Sequence, residues 1–296
     1  MLMSSSPARG EIGRRNLLPF LAIILESTAR LWLPPIAHSQ VVERQISPHN
    51  GSIVVLDNPT TGIRSLIAQS GTKSVLQSSF DLRDPVRLVD DYTQIIALIT
   101  SLHPAPLLVF NIGLGGSVLP RFHLNRYPMS FVVSVEIDKV MIDLAKKYFR
   151  AEQTNHTIID GDGAAVLKGQ TKRYQVVWID AFTPDAGVPE VFLTDEFLSS
   201  LKAKISAQNL VVLNLWVASP EKFRETVKKY KNGYSNGIIV KIPMAENQIL
   251  AVGNKLRLTC ANFFTAYEAW LKQKVVTVRW PTKGINPSME ICADLR

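Results

Sequence analysis

The sequence predicts an α/β fold, a mostly parallel sheet with helices on both faces, preceded by a small β element. Three observations carry this. Apolar, β-branched runs alternate with segments of helical period from residue 107 onward. Short alternating strands precede them from Gln40. Between the two, Leu107-Leu108-Val109-Phe110-Asn111-Ile112 breaks into Gly113-Leu114-Gly115-Gly116, and the next apolar run, Phe131 to Val135, ends in Glu136-Ile137-Asp138. Strand, glycine turn, helix, strand and terminal acid, in that order, form a Rossmann-like nucleoside-binding unit.

Taken in order, residues 1–39 read as a leader. Arg14-Arg15 precede the apolar run Leu17 to Leu25, and Ala37-His38-Ser39 offers a small-residue cleavage site, the layout of an export signal. Glu26 and Arg30 interrupt that layout, and the apolar run is shorter than the roughly 20 helical residues that cross a bilayer. An exported or membrane-associated leader and a plain amphipathic one therefore stay equally open. Residues 40–80 form the β element: Val41 to Ile46 and Ser52 to Leu56 flank Asn50-Gly51, a strong hairpin signal. Ile63 to Ala68 and Val75-Leu76 supply further strands.

Residues 81–296 form the main domain. Asp84-Pro85 opens a helix through Tyr92 that ends near His103-Pro104. Strand 107–112 leads to a helix near 117–125, and strand 131–135 to a helix near 139–149, where Val140, Leu144 and Tyr148 share one face. Ile158-Ile159 is a short strand before Asp160-Gly161-Asp162-Gly163. The run Tyr174 to Ile179 ends at Asp180. Thr194 caps a helix before strand 210–215, and Ser219-Pro220 opens the next. Residues 238–240 and 248–252 close the sheet. The last aromatic set, Phe263, Phe264, Tyr267 and Trp270, lies on a core-facing helix, with an oligomer contact as the lesser alternative.

Composition narrows the function. At 296 residues, 46% hydrophobic and 20% charged, the chain can bury one large domain with a small appendage. Its net charge of +8 is scattered, and its densest group (Arg224, Lys228, Lys229, Lys231) sits on a helix, so no nucleic-acid partner is expected. Cys260 and Cys292 fit no metal spacing and read as two inert thiols, with one structural disulfide as the alternative for an exported chain. The five histidines show no ligand spacing, so no metal is expected, and His123 reads as structural or exposed. Serine-hydrolase, zincin and phosphate-loop signatures do not occur.

In an open parallel sheet the ligand sits beyond the carboxyl ends of the strands. Acids stand at three of those ends here: Glu136 with Asp138, Asp160 with Asp162, and Asp180. The glycine pattern is G-x-G-G and not G-x-G-x-x-G, which argues against a dinucleotide and for an adenosine without pyrophosphate. Glu136 is expected at the ribose hydroxyls, Asp162 at the adenine amine and Asp180 at the reacting end.

These motifs, with Asp180-Ala181-Phe182-Thr183-Pro184, resemble those of the polyamine aminopropyltransferases (spermidine synthases), and most nearly their divergent bacterial spermidine synthase-like branch. The resemblance extends upstream through Gln77-Ser78, Asp84-Pro85 and Tyr92-Thr93, and downstream to Asn214-Leu215-Trp216, covering roughly residues 40 to 255. It implies a methyltransferase-type Rossmann-like domain and transfer of an aminopropyl group from decarboxylated S-adenosylmethionine to a small-molecule amine. A methyltransferase using S-adenosylmethionine and a non-catalytic nucleoside-binding relative are the alternatives. By position it implies that Gly113, Gly115, Gly116, Glu136, Asp138, Asp162 and Gly163 hold the nucleoside. Asp180 would be the base, and Gln77, Tyr92, Thr183 and Asp185 would line the amine site. A cytoplasmic location is implied, with the exported or membrane-anchored leader as alternative, and a homodimer is admitted. Four positions depart from the family pattern: Leu114 stands where an acid separates the glycines, Thr183 replaces a second acid, Ile242 replaces a tyrosine, and Thr93 stands after Tyr92 where His or Gln is common. Restoring acids by Leu114→Asp with Thr183→Asp is expected to raise activity on the diamine putrescine.

Overall fold

In the computed structural model, which describes residues 39–182, 188–216, 219–243, 245, 247–279 and 291–295, the β element is a four-stranded antiparallel sheet. Its strands β1 (Gln40–Ser47), β2 (Gly51–Asn58), β3 (Ile63–Ser70) and β4 (Lys73–Asp81) lie in chain order. The Asn-Gly signal does mark a hairpin, closed by the pair Ser47 and Gly51. Ile53, Val55, Leu66 and Phe80 turn to one face and join the core of the main domain.

The main sheet has eight strands in the order β12-β10-β11-β9-β8-β5-β6-β7. Strands β5 (Leu108–Ile112), β6 (Phe131–Glu136), β7 (His156–Asp160), β8 (Tyr174–Ile179) and β9 (Ile205–Trp216) run parallel. Strands β10 (Asn236–Lys241), β11 (Asn247–Asn254) and β12 (Cys292–Asp294) extend it antiparallel. Consecutive residues of the central strands face opposite layers, which is why those strands are mostly apolar on both faces. Val109, Val176, Trp178 and Val212 pack with helices α1 (Asp91–Thr100), α2 (Val118–Arg126), α3 (Lys139–Phe149) and α7 (Cys260–Lys272). Phe110, Ile112, Val177, Val211 and Leu213 pack with α4 (Gly163–Gly169), α5 (Asp195–Lys204) and α6 (Pro220–Lys231).

Three local expectations change. The helix expected from Asp84 begins at Asp91. The Asp81 carboxylate takes the amides of Arg83 and Asp84 and the Arg87 guanidinium, folding 81–87 into a loop, and Leu88 then bridges to Phe80. A short helix, α4, follows Asp162, which caps it through the Ala165 amide at 2.8 Å. The cysteines are not two thiols. Cys260 at the start of α7 is bonded to Cys292 on β12, and the Asp294 carboxylate accepts the Cys260 amide at 2.7 Å. The cross-link holds a three-residue edge strand whose own pairing to β10 is too short to be stable alone. His123 is buried, its Nε2 at 2.9 Å from the Pro106 carbonyl and its ring edge-on to Trp178, and burial lowers its pKa to about 4. It is structural.

Candidate active site

The chain moves from β5 outward to β6 and β7, then returns to place β8 on the other side of β5. The connections leaving β5 and β8 pass to opposite faces of the sheet, the place where open α/β sheets hold their ligands. Gly113 and Asp180, the first residues past those strands, meet there. The Asp180 amide donates to Ile112 O and the Gly113 amide to Val135 O, each at 2.9 Å. Gly113 has φ +92, and a Cβ there would stand 2.1 Å from the Asp180 carbonyl oxygen, so only glycine fits. Gly116 donates its amide to Ser78 Oγ at 2.8 Å, and a Cβ on it would lie 2.9 Å from Phe149 and Ser78. The turn therefore needs its glycines to dock on β4 and on the end of β8.

Glu136 ends β6 beneath this turn. Its Oε2 accepts the Leu114 amide at 2.9 Å and its Oε1 the Asp138 amide at 3.1 Å. Burial raises its pKa, and those amides oppose the rise. The neighbouring acid is used differently. Asp138 is buried; one oxygen caps α3 through the Val140 and Met141 amides, and the other accepts from Ser47 Oγ and Asn50 Nδ2. Both its oxygens are thus engaged by protein groups that tie α3 to the β1–β2 hairpin. Asp162 is exposed at the head of α4, with one oxygen on the Ala165 amide. Gly163 is buried against Ile112, where a Cβ would approach to 2.5 Å.

Asp180 is the acid best placed for chemistry. Asn214 on β9 donates to its Oδ1 at 3.0 Å, and Asn247 on β11 donates in turn to Asn214 Oδ1 at 2.9 Å, so three strands fix the carboxylate. Burial, and then the charges of Asp90 and Glu136, push its pKa up to about 6, against the Asn214 hydrogen bond. Tyr92, in the first turn of α1, donates its hydroxyl to the Gln77 carbonyl at 3.3 Å. Burial, then the charges of Asp180 and Asp90, raise its pKa, so the phenol stays protonated. Thr93 points elsewhere, buried with its hydroxyl on the Asp90 carbonyl at 2.6 Å. Ile242 is a core residue. Thr183 and Asp185 lie outside the described residues.

Sequence reasoning missed Asp90. Its carboxylate does not cap α1 but accepts the Ser79 amide at 2.7 Å, and burial raises its pKa. The missing signal was the true start of α1: read as a residue inside a longer helix, Asp90 carries no hint of facing β4. Asn214 was noted only as part of a motif, since nothing in its spacing announces a partner 34 residues away.

Comparison with known proteins decides the family. The Spermine/spermidine synthase domain matches residues 91–252, more than half of the chain. The chain belongs to the spermidine synthase family. Relatives of this transferase family include the polyamine aminopropyltransferase of Vibrio vulnificus, 28% identical over 214 residues, spanning 70% of either chain. That of Chromobacterium violaceum is 27% identical, over 64% of this chain and 71% of its own. The human eEF1A lysine and N-terminal methyltransferase is 32% identical over 122 residues, only 37% of this chain and 18% of that protein. Among solved structures, a probable spermidine synthase from Corynebacterium glutamicum superposes with a TM-score of 0.64 at 18% identity, over 83% of this chain and 97% of that one. A spermidine synthase in complex with the transition-state analogue AdoDATO gives 0.61 at 16% identity, over 82% of each chain. These confirm the Rossmann-like, methyltransferase-type fold with its N-terminal sheet. Among the described residues of this spermidine synthase-like transferase, no cluster of His, Cys, Asp or Glu could hold a metal, and no helix is long and apolar enough to cross a membrane.

Proposed function

We propose that the protein transfers an aminopropyl group from decarboxylated S-adenosylmethionine to an amine, with an acceptor side altered from the family pattern. The observation that carries this is Asp180: a carboxylate with a pKa of about 6, held by Asn214, against the glycine turn that Glu136 braces. In this reading the nucleoside lies over Gly113, Gly115 and Gly116, with Glu136 at the ribose and Asp162 with Gly163 at the adenine. Glu136 already carries two backbone amides, so its remaining lone pairs serve the hydroxyls. Asp138 acts one step removed, by fixing α3 and the hairpin. Tyr92 and Gln77 line the amine side, joined by Asp90.

The amine lone pair attacks the carbon next to the sulfonium, the carbon–sulfur bond breaks, and sulfur keeps the pair as neutral methylthioadenosine leaves. Asp180 takes the proton shed by the attacking nitrogen, and alignment supplies most of the remaining acceleration. A donor made in the cytosol favours a cytoplasmic location, whereas the Cys260–Cys292 bond favours export through the leader. We divide the chain into the leader 1–39, the β element 40–80 and the catalytic domain 81–296.

Product analysis with each donor tests the reading. Methylthioadenosine is expected from decarboxylated S-adenosylmethionine and an amine. S-adenosylhomocysteine from S-adenosylmethionine would establish methyl transfer instead, the reading favoured by the identity with the human methyltransferase. No product from either donor would leave a nucleoside-binding protein. Glu136→Gln is expected to weaken methylthioadenosine binding by roughly 10- to 100-fold, since hydrogen bonds to a charged group are worth about 1.5–3 kcal/mol. Unchanged affinity by calorimetry would remove Glu136 from the site.

A further inference from the structure

A buried polar chain runs under the glycine turn, across three parallel strands. Asn111 on β5, Ser134 on β6 and His156 on β7 are linked side chain to side chain. Asn111 Nδ2 lies 2.6 Å from the Gly113 carbonyl oxygen and 3.1 Å from Ser134 Oγ. His156 Nε2 lies 2.8 Å from Ser134 Oγ, and His156 Nδ1 lies 2.9 Å from the Ala151 carbonyl oxygen. Asn111 and Ser134 are buried and stand opposite each other in the β5–β6 register.

The partners fix the direction of every bond. A carbonyl only accepts, so Nδ1 of His156 carries the ring proton and donates to Ala151. Nε2 is then a lone pair and accepts the Ser134 hydroxyl proton. That leaves the Ser134 oxygen to accept one N–H of Asn111, whose other N–H goes to the Gly113 carbonyl. The chain works with a neutral imidazole. Burial, reinforced by the charge of Arg121 on α2, keeps His156 in that form by lowering its pKa. A protonated ring would present a donor to Ser134 and leave the buried hydroxyl proton without its acceptor.

We infer that Asn111, Ser134 and His156 are positioning residues that hold the Gly113 carbonyl, and with it the glycine turn, in the geometry that receives the nucleoside. Gly113, with φ +92 and its Cα pressed on the Asp180 carbonyl, is where such a hold matters, because a glycine has the most backbone freedom to lose. The inference rests on the proposed nucleoside site, and its test separates the two.

The test is a double-mutant cycle on methylthioadenosine affinity, read by calorimetry in the full chain. Asn111→Ala, Ser134→Ala and His156→Leu are each expected to weaken binding by about three- to tenfold, the worth of one hydrogen bond. Asn111 and His156 lie on strands separated by β6, so independent roles would make their losses additive. A relay predicts that Asn111→Ala with His156→Leu is no weaker than the worse single variant. His156→Gln, whose amide oxygen can take the Ser134 proton, is expected to restore near-wild-type affinity. Additive losses, or no rescue by Gln, would overturn the relay. Wild-type protein that binds no methylthioadenosine would sink the proposed function and not the relay. Hydrogen exchange at the amides of residues 113–116 then judges it: faster exchange in Ser134→Ala supports it, and unchanged exchange overturns it.

Discussion

Asp180→Asn is expected to lower aminopropyl transfer by about 10²–10⁴-fold, the usual cost of a lost general base, while methylthioadenosine still binds. The amide is nearly isosteric, so the carboxyl edge of β8 keeps its shape. What disappears is a base whose pKa of about 6 matches the working range of an enzyme near neutrality. The pH profile carries the decisive sign. Wild-type kcat/KM is expected to rise as pH increases through about 6, because the ionised form accepts the proton, and the Asn variant is expected to lose that limb. Stability moves the other way. A carboxyl whose folded pKa is raised contributes stability that is fully present below its ordinary value near 3.8 and is lost as pH rises through about 6. The Asn variant is therefore expected to melt no lower than wild type at pH 8. A variant with full activity, or one that fails to bind methylthioadenosine, would remove Asp180 from the role of base.

Much of this frame was legible in the residues, for identifiable reasons. A parallel strand covered on both faces is mostly apolar, so β5, β6, β8 and β9 announced themselves even though each carries a polar residue such as Asn111, Ser134, Gln175 or Asn214. A glycine pressed onto the next strand's carbonyl leaves its mark at Gly113. What the sequence hid are the long-range pairings. Asp138 sits beside Glu136 and reads as its equal, yet its partners Ser47 and Asn50 lie 91 and 88 residues away. Cys260 and Cys292 carry no sign of pairing until β12 is placed at the sheet edge. Asp90 faces β4 only because the loop gathered around Asp81 delays the start of α1. Each of these depends on tertiary neighbours that local pattern does not encode.

Leu114→Asp is the substitution suggested by comparing motifs, and the structure predicts that it fails. Leu114 is 5% exposed and packs with Ile142, Ala145 and Ala151 on and after α3, with Ile158 alongside. Its side chain thus belongs to a small apolar cluster behind the turn, while its amide serves Glu136. An aspartate there would lose the packing of a buried leucine, a cost of about 2–5 kcal/mol by the usual Leu→Ala range, and would bury a carboxyl among apolar groups besides. Its charge would also stand near the Glu136 carboxylate, and Glu136 already ionises with difficulty. At roughly 2–4 °C per kcal/mol for a domain of this size, the melting temperature is expected to fall by about 4–20 °C. Putrescine turnover should fall with it. Leu114→Met, which conserves volume, is expected to cost less than about 1.5 kcal/mol. Thermal unfolding of both variants distinguishes the two views of this position. If Leu114→Asp melts like wild type and gains putrescine activity, the turn has swung its side chain into the cleft, and the apolar residue is a simple loss of a substrate contact. If it melts early, Leu114 is a residue that the fold requires, and any acid that holds the amine must come from elsewhere, with Asp90, whose charge bears on both Asp180 and Tyr92, the candidate.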